Sequence, residues 1–311
     1  GFRALYALVA GVMWLMTSLL SGDYFAHHYR NRNRYYFFFL LTQGATVGVF
    51  LSADLFTTFI FFEIMSFTSY TWVAHDETPG AMRAAETYLA VAIIGGMVML
   101  MGLFLLWNAV GTLTISELYE AAKACPRKGT IWAASICILF GFGAKAGMFP
   151  LHIWLPKAHP VAPAPASAVL SGVITKAGVL AVLRVIYYLV GADVLRGTWV
   201  QKGFMTLTLI TVFMGSMLAY REPLIKKRLA YSTVSQVSYV LFGLACMVPT
   251  AFEGAMLHVV AHSVIKDALF LCAGAFIHQT GKTYVRDLRG IGKEMPITCL
   301  LYTSPSPRDC S

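Results

Sequence analysis

Nine long apolar runs constrain this chain more than any other feature of its sequence. They cover residues 2–21, 36–53, 55–74, 84–107, 130–149, 163–190, 203–220, 229–248 and 252–278. A membrane-spanning helix needs about 20 mainly apolar residues, and the strict alternation typical of outer-membrane barrel strands is absent from these runs. The sequence therefore predicts an all-α, polytopic transmembrane helix bundle.

The composition excludes several other classes of protein. Hydrophobic residues make up 58% of the chain, charged residues only 13%, and the mean hydropathy is +0.66. Soluble domains carry about 25% charged residues, so a water-soluble globule and a disordered chain are both excluded. The net charge of +9 is better explained by basic loops on one side of a membrane than by nucleic-acid binding. We expect a lipid bilayer, and no nucleic acid, as a partner.

The six cysteines do not indicate a metal centre or a disulfide scaffold. They stand at 125, 137, 246, 272, 299 and 310, without a Cys-x-x-Cys pair or a Cys/His cluster at metal-ligand spacing. No Gly-rich phosphate loop follows a strand pattern. We therefore predict no cofactor and no metal on this chain, and no redox chemistry by the chain alone.

The sequence predicts a single transmembrane domain over residues 1–297, incomplete at both ends. The chain begins without Met, directly in an apolar run that lacks the basic start and small-residue exit of a cleavable signal. The final LYTSPSPRDCS is Ser/Pro-rich and stops where a loop should lead to another span. We expect residues 298–311 to be an atypical tail that is foreign to the bundle.

Basic residues predict the orientation of the bundle. The loops of one face hold most of them, including Arg30, Arg32, Arg34, Arg83, Arg221, Lys226, Lys227, Arg228, Lys282, Arg286, Arg289 and Lys293. Loops rich in Lys and Arg stay in the cytoplasm. This face is therefore predicted to be cytoplasmic, and the first residues of the chain to face outward.

The longest loop, over about 108–129, contains a helix-start pattern. Thr114, Ser116 and Glu117 belong to the sequence Thr-Ile-Ser-Glu, which is typical of a capping box. It predicts the capped start of a short surface helix.

One predicted helix is interrupted near its middle. The segment GFGAKAGMFP places Gly143, Gly147 and Pro150 around Lys145, and more prolines follow. Broken helices are tolerated at membrane depth only where they are buried in protein or line a wet cavity. A functional break around Lys145 is one interpretation, and a proline kink that only aids packing is the other.

Four ionisable residues lie inside apolar runs, where charge is costly and usually functional. They are Glu63, Lys145, Lys176 and Lys266. A structural ion pair or a snorkelling lysine would explain any one of them, but a purely structural role for all four is less favoured. The helix face of Glu63 also carries Ser66 and Tyr70.

Two histidines extend this set along one helix face. His258, His262 and Lys266 are spaced at i, i+4 and i+8, so they form a stripe that could relay protons through water. Asp267 points elsewhere and is a weaker candidate. The spacing of the two histidines would permit a metal, but the sequence offers no evident third ligand.

Four segments resemble the proton-conducting antiporter-like membrane subunits. They read FFEIMSFTSYTWV, GFGAKAGMFPLHIWLPKAHPVAPAPASAVLSGVITKAG, KKRLAYSTVSQVSYV and HVVAHSVIKDALFLCAGAFI. That family includes subunits of respiratory complex I, of Mrp-type multisubunit cation/proton antiporters and of membrane-bound hydrogenases. The resemblance covers about residues 36–297.

The resemblance implies roles for the buried charges. Glu63 is similar to the membrane-embedded glutamate of the family's fifth helix, and Lys145 to its partner on the broken seventh helix. Lys176 resembles an eighth-helix lysine found in several branches. His258, His262 and Lys266 match positions on the eleventh helix.

The resemblance also implies a fold of two inverted five-helix repeats. The second to sixth apolar runs would form the first repeat, and the last three would begin the second. The family continues into another broken helix that bears an exit lysine or glutamate, and the chain leaves this pattern after about Pro296. The second repeat is therefore expected to be truncated.

Three functions are compatible with these features. The leading hypothesis is a proton-translocating membrane subunit of an energy-converting complex of the NADH-quinone oxidoreductase or membrane-bound hydrogenase type, whose redox centres lie on other chains. The second is a subunit of a multisubunit Na⁺/H⁺ or K⁺/H⁺ antiporter. The third is a non-conducting membrane anchor. The first two imply partner membrane subunits, protons and possibly Na⁺ as cargo, and a bacterial or archaeal inner membrane.

Overall fold

The computed structural model describes residues 2–26 and 30–303 and is helical almost throughout. Its α-helices are α1 (Phe2–Tyr24), α2 (Arg32–Leu51), α3 (Leu55–Val73), α4 (Pro79–Val110), α5 (Leu118–Ala124), α6 (Lys128–Ala146), α7 (Leu155–Val161), α8 (Ala164–Val169), α9 (Thr175–Arg184), α10 (Ala192–Leu195), α11 (Trp199–Arg221), α12 (Ile225–Cys246), α13 (Pro249–Thr280), α14 (Ile291–Glu294) and α15 (Pro296–Thr303). Within the described ranges, β-pairing is limited to two isolated bridges. The predicted all-α polytopic bundle is confirmed.

Seven helical segments of the described chain are long and apolar enough to cross a membrane. They are Phe2–Tyr24, Pro79–Val110, Lys128–Val161, Ala164–Val190, Trp199–Arg221, Ile225–Cys246 and Pro249–Thr280. The other two predicted spans correspond to α2 and α3, of 20 and 19 residues. At 1.5 Å per residue these helices are about 30 Å long, which matches the bilayer core. They are not among these seven segments, so their crossing stays a prediction.

Features of the first half of the chain recur in the second half at a fixed separation in sequence. We call this separation, from Pro79 to Pro249, the repeat interval. These prolines begin α4 and α13, and the ends of the two helices, Val110 and Thr280, are separated by the same interval. The isolated bridge of Asp54 with Thr114 recurs one repeat interval later as that of Leu224 with Tyr284.

The second repeat is expected to be inverted relative to the first. Five predicted crossings separate the start of α2 from that of α11. Each crossing moves the chain to the other side of the membrane, so an odd number turns the second repeat upside down. The order of the helices is therefore the one expected for inverted repeats.

Glycines bring the helices around the predicted site into close contact. A Cβ on Gly141 of α6 would lie 2.6 Å from the backbone oxygen of Gly95 on α4. A Cβ on Gly178 of α9 would lie 2.6 Å from the backbone nitrogen of Ala146 on α6. Backbones can approach this closely only where side chains are absent. Helix α6, which carries Lys145, is therefore packed closely between α4 and α9.

The predicted helix break follows Lys145 directly. Helix α6 ends at Ala146, and Gly147 adopts the left-handed conformation at φ 76°. The amide of Met148 donates to the carbonyl oxygen of Gly143 at 3.0 Å, which closes the last turn. Beyond Pro150, a short 3₁₀ segment, Leu151–Trp154, leads into α7.

A second irregularity lies in the next span and has no counterpart in the sequence analysis. Between α8 and α9 the chain forms a π-helical segment, Leu170–Ile174, and another, Val185–Val190, follows α9. Wide π turns shift backbone carbonyls from their usual partners and are frequent at functional sites. The apolar pattern could not reveal them, because a π turn changes hydrogen bonding without changing hydropathy.

Residues near the end of the described chain also pack on the bundle. Helix α15 lies against α13, and the rings of Phe276 and Tyr302 have centroids 5.6 Å apart. The predicted tail, 298–311, thus begins within a helix, and its residues 304–311 lie outside the described ranges. Its foreign origin stays a prediction.

Candidate functional site

Lys145 lies in the bundle interior, held by hydroxyl groups. Its side chain is 5% exposed, and its Nζ donates to Ser66 Oγ at 3.1 Å and to Tyr88 OH at 2.5 Å. The same ammonium nitrogen lies 4.5 Å from the Tyr88 ring centroid and 5.7 Å from that of Trp154. Two neutral acceptors and two aromatic faces therefore stabilise the charged form of this lysine.

The Tyr88 hydroxyl connects Lys145 to a second serine. Ser69 Oγ lies 2.6 Å from Tyr88 OH and also 2.6 Å from the carbonyl oxygen of Met65, to which it donates. Since the serine proton goes to that carbonyl, Tyr88 donates to Ser69 while it accepts from Lys145. Lys145, Tyr88 and Ser69 thus form a hydrogen-bonded chain between α6, α4 and α3.

Glu63 faces the same region but forms no ion pair with Lys145. The ion pairs within 4.0 Å among the described residues are Arg34–Glu77, Lys227–Glu222 and Arg286–Asp287, all outside this site. The Glu63 carboxyl lies against the backbone of Gly96, where a Cβ would come 2.5 Å from its Oε1. That Oε1 is buried and has no hydrogen-bond partner in the structure. The family resemblance pairs Glu63 with Lys145. In the structure these two residues interact electrostatically without a direct ion pair.

A small cavity adjoins the Lys145 side chain. It has a volume of about 10 Å³ and is lined by Ser66, Tyr88, Gly141, Lys145 and Trp154, among others. This is close to the space that one water molecule needs, and the lining supplies polar partners for it. Tyr70, which shares the Glu63 face, instead packs half-buried against the apolar core.

Lys176 is bound by the π-helical segment that precedes it. It is 1% exposed, and its Nζ donates to the carbonyl oxygen of Ser171 at 2.5 Å. The Ser171 hydroxyl in turn lies 2.7 Å from Thr233 Oγ1 on α12. The wide turn thus supplies a backbone acceptor for a buried cation and connects it to the second repeat.

The predicted stripe on α13 reaches the interior near Lys176. Lys266 is 2% exposed and donates to Leu229 O at 3.1 Å and to Ser232 Oγ at 2.9 Å, both on α12. The rings of His258 and His262 stack at 5.8 Å, and the charge of Lys176 acts on both.

The two histidines differ in their hydrogen bonds. His258 Nε2 lies 2.8 Å from Gln236 Oε1 on α12, whereas both ring nitrogens of the buried His262 have no partner in the structure. Unpaired ring nitrogens at 3% exposure leave His262 able to accept or donate a proton. Within the described ranges, no three His, Cys, Asp or Glu side chains lie close enough together to bind a metal ion.

Two further ionisable residues belong to this interior and are missed by the sequence analysis. His159 of α7 is fully buried with both ring nitrogens unpaired, and it stacks on Phe270 at 4.7 Å. The placement of Lys226 in a cytoplasmic loop is wrong, because α12 begins at Ile225 and the Lys226 side chain turns inward. There it donates to Pro160 O at 3.3 Å and to Ala162 O.

The His159 ring lies close enough to Lys176, Lys226 and Lys266 for the charges of all three to act on it. The signal in the sequence is a histidine between two prolines, 156 and 160, directly after the predicted break. Proline-interrupted backbone leaves carbonyls without helical partners, and these carbonyls bind the Lys226 ammonium.

Cavities open beside Lys226 at the end of the bundle that carries most basic loops, here called the basic end. One, of about 270 Å³, is lined by Lys226, Asp76 and Pro163, among others. A larger one, of about 460 Å³, shares Asp76 and Pro163 and includes His75. Burial lowers the pKa of His75, so this ring is neutral at physiological pH. Both cavities are wide enough to hold water.

At the basic end, Arg34 donates to Glu77 Oε1 at 2.5 Å. The hydrogen bond and the charge of Arg34 hold the pKa of this exposed carboxyl below its usual range. The pair connects the start of α2 with the α3–α4 loop at the surface.

The fold and these buried groups define an integral membrane protein whose interior carries a series of lysines, histidines and carboxylates. A protein-family model described as "NADH:quinone oxidoreductase/Mrp antiporter, TM" matches residues 52–304 of the chain. The chain belongs to this family of membrane subunits.

Curated relatives come from two kinds of complex. The chain is 33% identical over 270 residues to "NADH-quinone oxidoreductase subunit N" of Desulforudis audaxviator. The aligned region covers 86% of this chain and 53% of that protein. The chain is 30% identical over 268 residues to a Na(+)/H(+) antiporter subunit of Alkalihalophilus pseudofirmus, covering 85% and 54%. The chain therefore spans about half the length of the curated relatives that it matches.

Two solved structures share the fold. A chain of the Mrp complex from Dietzia sp. DQ12-45-1b is 26% identical and superimposes with a TM-score of 0.88 over 97% of this chain and 56% of that one. A chain of the membrane-bound sulfane sulfur reductase, an archaeal respiratory membrane complex, is 27% identical with a TM-score of 0.89, covering 97% and 61%.

Proposed function

We propose that this chain is the proton-translocating part of a membrane subunit in an energy-converting complex. One observation carries the proposal. Lys145 is buried at the end of an interrupted helix, held by the hydroxyls of Ser66 and Tyr88 rather than by a carboxylate, beside space for one water. A structural lysine would be expected to pair directly with Glu63, because an isolated buried charge costs several kcal/mol. A lysine that must release its proton needs weaker, neutral partners.

Glu63 would control the protonation of Lys145. When the carboxylate is charged and near, it stabilises the ammonium. When Glu63 is neutralised or moves away, the buried ammonium loses that stabilisation and passes a proton to the adjacent water. The two groups interact without being locked in an ion pair, so small displacements of the Glu63 carboxyl from Gly96 would shift this balance.

A set of buried ionisable groups would carry the proton between Lys145 and the basic end. Lys176, Lys266 and His262 lie in the centre, and His258 continues the set along α13. His159 and Lys226 extend it toward the cavities at the basic end. Neutral partners hold each of the lysines, whose Nζ atoms donate to carbonyl or hydroxyl oxygens. Such contacts exchange readily with water.

A subunit of a cation/proton antiporter is the second candidate function. It is favoured by the similarity to the antiporter subunit of Alkalihalophilus pseudofirmus. The same interior groups would serve in both cases, so the difference lies in what drives the proton. Partner membrane subunits are proposed under either function, and a non-conducting anchor is the alternative to both.

The experiment compares Lys145 variants of the full-length protein in its native membranes. Inverted vesicles are assayed with a pH-sensitive dye, first with an electron donor such as NADH and then with Na⁺ or K⁺ added against an imposed pH gradient. We expect Lys145→Ala and Lys145→Arg to assemble normally and to lose proton movement at least tenfold. Arginine retains the positive charge but does not release a proton at physiological pH.

The exposed Lys157 of α7 provides the matched control, since Lys157→Arg should leave the rate unchanged. Proton movement that follows only the electron donor supports the energy-converting complex, and movement that follows only the cation supports the antiporter. Near-normal proton movement in Lys145→Arg would remove Lys145 from the path and favour the anchor.

A further inference from the structure

Asp267 is the one carboxylate among the buried charged residues of the described chain that lies almost fully in the interior, at 2% exposure. It follows Lys266 in α13 but faces away from α12, toward α1 and the π-helical segment Leu170–Ile174. A Cβ built on Gly172 of that segment would lie 3.4 Å from the Asp267 Cβ. The carboxyl group is therefore enclosed by three elements of the bundle.

A single hydroxyl holds this carboxyl group. Thr17 Oγ1 of α1 donates to both carboxylate oxygens, at 3.2 and 3.1 Å. No cation among the described residues lies within 4.0 Å of Asp267. Lys176 is the lysine whose charge acts on it, and Lys176 donates only to the Ser171 carbonyl on the same π segment. Asp267 and Lys176 are thus two buried ionisable groups that both lie against that segment.

The sequence repeat shows which residue the second half of the chain has at the position equivalent to Glu63. One repeat interval after Glu63, the second half of the chain has Thr233. Thr233 has no charge and bonds to Ser171. The second half therefore lacks the carboxylate of the first, although it holds Lys226 and Lys266 and lies against Lys176. Asp267 places a carboxyl group in this interior from a different helix, α13.

We propose that Asp267 is a proton-carrying group that exchanges its proton with Lys176, the counterpart of Glu63 for the second half of the bundle. This inference rests on the proposed proton-translocating function. In the step, the Lys176 ammonium loses one proton and becomes an amine, and the Asp267 carboxylate gains it and becomes a carboxylic acid. Two buried charges become two neutral groups, which avoids separating charge in a medium of low dielectric constant. The proton crosses between them through water or after Lys176 leaves the Ser171 carbonyl.

A structural role for Asp267 would be to anchor α1 through Thr17, and two variants separate the roles. Asp267→Asn keeps an oxygen that accepts from Thr17 but cannot carry a proton. Thr17→Val removes the hydrogen bond but leaves the carboxylate. In the full-length protein in native vesicles, we expect Asp267→Asn to assemble and to lose proton movement at least tenfold. We expect Thr17→Val to retain it within about fivefold, the factor that corresponds to the typical net contribution of one hydrogen bond.

Lys145→Arg serves as the reference in the same vesicles. If Lys145→Arg abolishes proton movement and Asp267→Asn does not, this inference is wrong and the proposed function stands. If neither variant changes the rate, the proposed function itself fails.

Infrared spectroscopy gives a second readout that does not depend on assembly of the Asn variant. In the full-length protein labelled with ¹³C-aspartate, a buried aspartic acid should show a carboxyl band that changes with pH. This transition should fall within the pH range in which the protein moves protons, because Asp267 must bind and release its proton there. A purely structural carboxylate would stay ionised throughout that range, and the absence of a carboxylic-acid band would overturn the inference.

Discussion

Tyr88 and His258 occupy equivalent positions in the two halves of the bundle, one repeat interval apart, and each reaches a polar group on the preceding long helix. Tyr88 of α4 bonds to Ser69 of α3 and accepts from Lys145, which also donates to Ser66 of α3. His258 of α13 bonds to Gln236 of α12, and Gln236 is the equivalent of Ser66 by the same interval. The first half thus uses hydroxyls where the second half uses an amide and a titratable imidazole.

Removing the Tyr88 hydroxyl should impair Lys145 without disturbing the fold. In Tyr88→Phe, the ring still packs on Trp154, but the ammonium loses one of its two hydrogen-bond acceptors. Loss of a partner to a buried charged donor costs about 1–3 kcal/mol, so we expect the proton rate to fall about tenfold in native vesicles. Tyr239→Phe, at a half-exposed site on α12, is the matched control. Equal rates in the two variants would mean that the hydroxyl does not contribute.

The contact of Glu63 with Gly96 gives a prediction about the position of the carboxyl group. In Gly96→Ala, the new Cβ would lie 2.5 Å from Glu63 Oε1, so the carboxyl must move. Because the displaced atoms belong to a flexible side chain, we expect near-normal assembly and a clearly reduced proton rate.

A double variant tests this cause. Glu63→Asp shortens the side chain and should recover part of the rate in the Gly96→Ala background, while lowering the rate in the parent. A double-mutant cycle of proton rates measures this coupling. Strictly additive effects would show that the two positions act independently.

The sequence reveals the buried charges but not their partners. Glu63, Lys145, Lys176 and Lys266 stand out because a charge within an apolar run is costly in any helical fold. Their acceptors are single hydroxyls and carbonyls of distant segments, such as Ser66 and the Ser171 carbonyl. Nothing in the sequence distinguishes these from other serines.

Residues near the ends of runs or in irregular segments are harder to place. Lys226 resembles a loop charge because the apolar run begins three residues later, whereas the helix already includes it. His159 is hidden among prolines that disrupt helical periodicity. The prediction of a capped start for the short helix now seen as α5 is wrong in detail. That helix begins after Glu117 without a side-chain cap, because Glu117 instead accepts from Thr112.

Arg184 offers a test of structure that should leave transport largely intact. This buried arginine of α9 donates to Thr58 Oγ1 and Phe50 O, each at 2.8 Å, and to Ser52 Oγ at 3.3 Å. It therefore ties α9 to the turn between α2 and α3, far along the chain.

Lysine cannot reproduce the planar fork of donors in Arg184. We expect Arg184→Lys in the full-length protein to lower the melting temperature by several degrees, with the proton rate per assembled complex within about twofold. Arg221→Lys, at an exposed site, should leave both unchanged. A selective loss of rate at normal thermal stability would instead place Arg184 on the path.

The crossing of α6 and α9 at Gly178 should be the least tolerant of added volume. In Gly178→Ala, the new Cβ would lie 2.6 Å from Ala146 N and 2.7 Å from Phe142 O. These are backbone atoms of the helix that carries Lys145, so the helices must separate rather than a side chain rotate. Overpacking of this kind costs about 1–3 kcal/mol.

We therefore expect Gly178→Ala to lower the melting temperature of the full-length protein in lipid. The proton rate should fall as well, since the crossing lies between Lys145 and Lys176. Gly203→Ala on α11 is the matched control, because a Cβ there meets no atom within 4 Å and alanine favours the helix. Thermal melts and vesicle assays of both variants make the comparison. If Gly178→Ala behaves like Gly203→Ala in both measurements, the close approach of α6 and α9 does not position the two lysines.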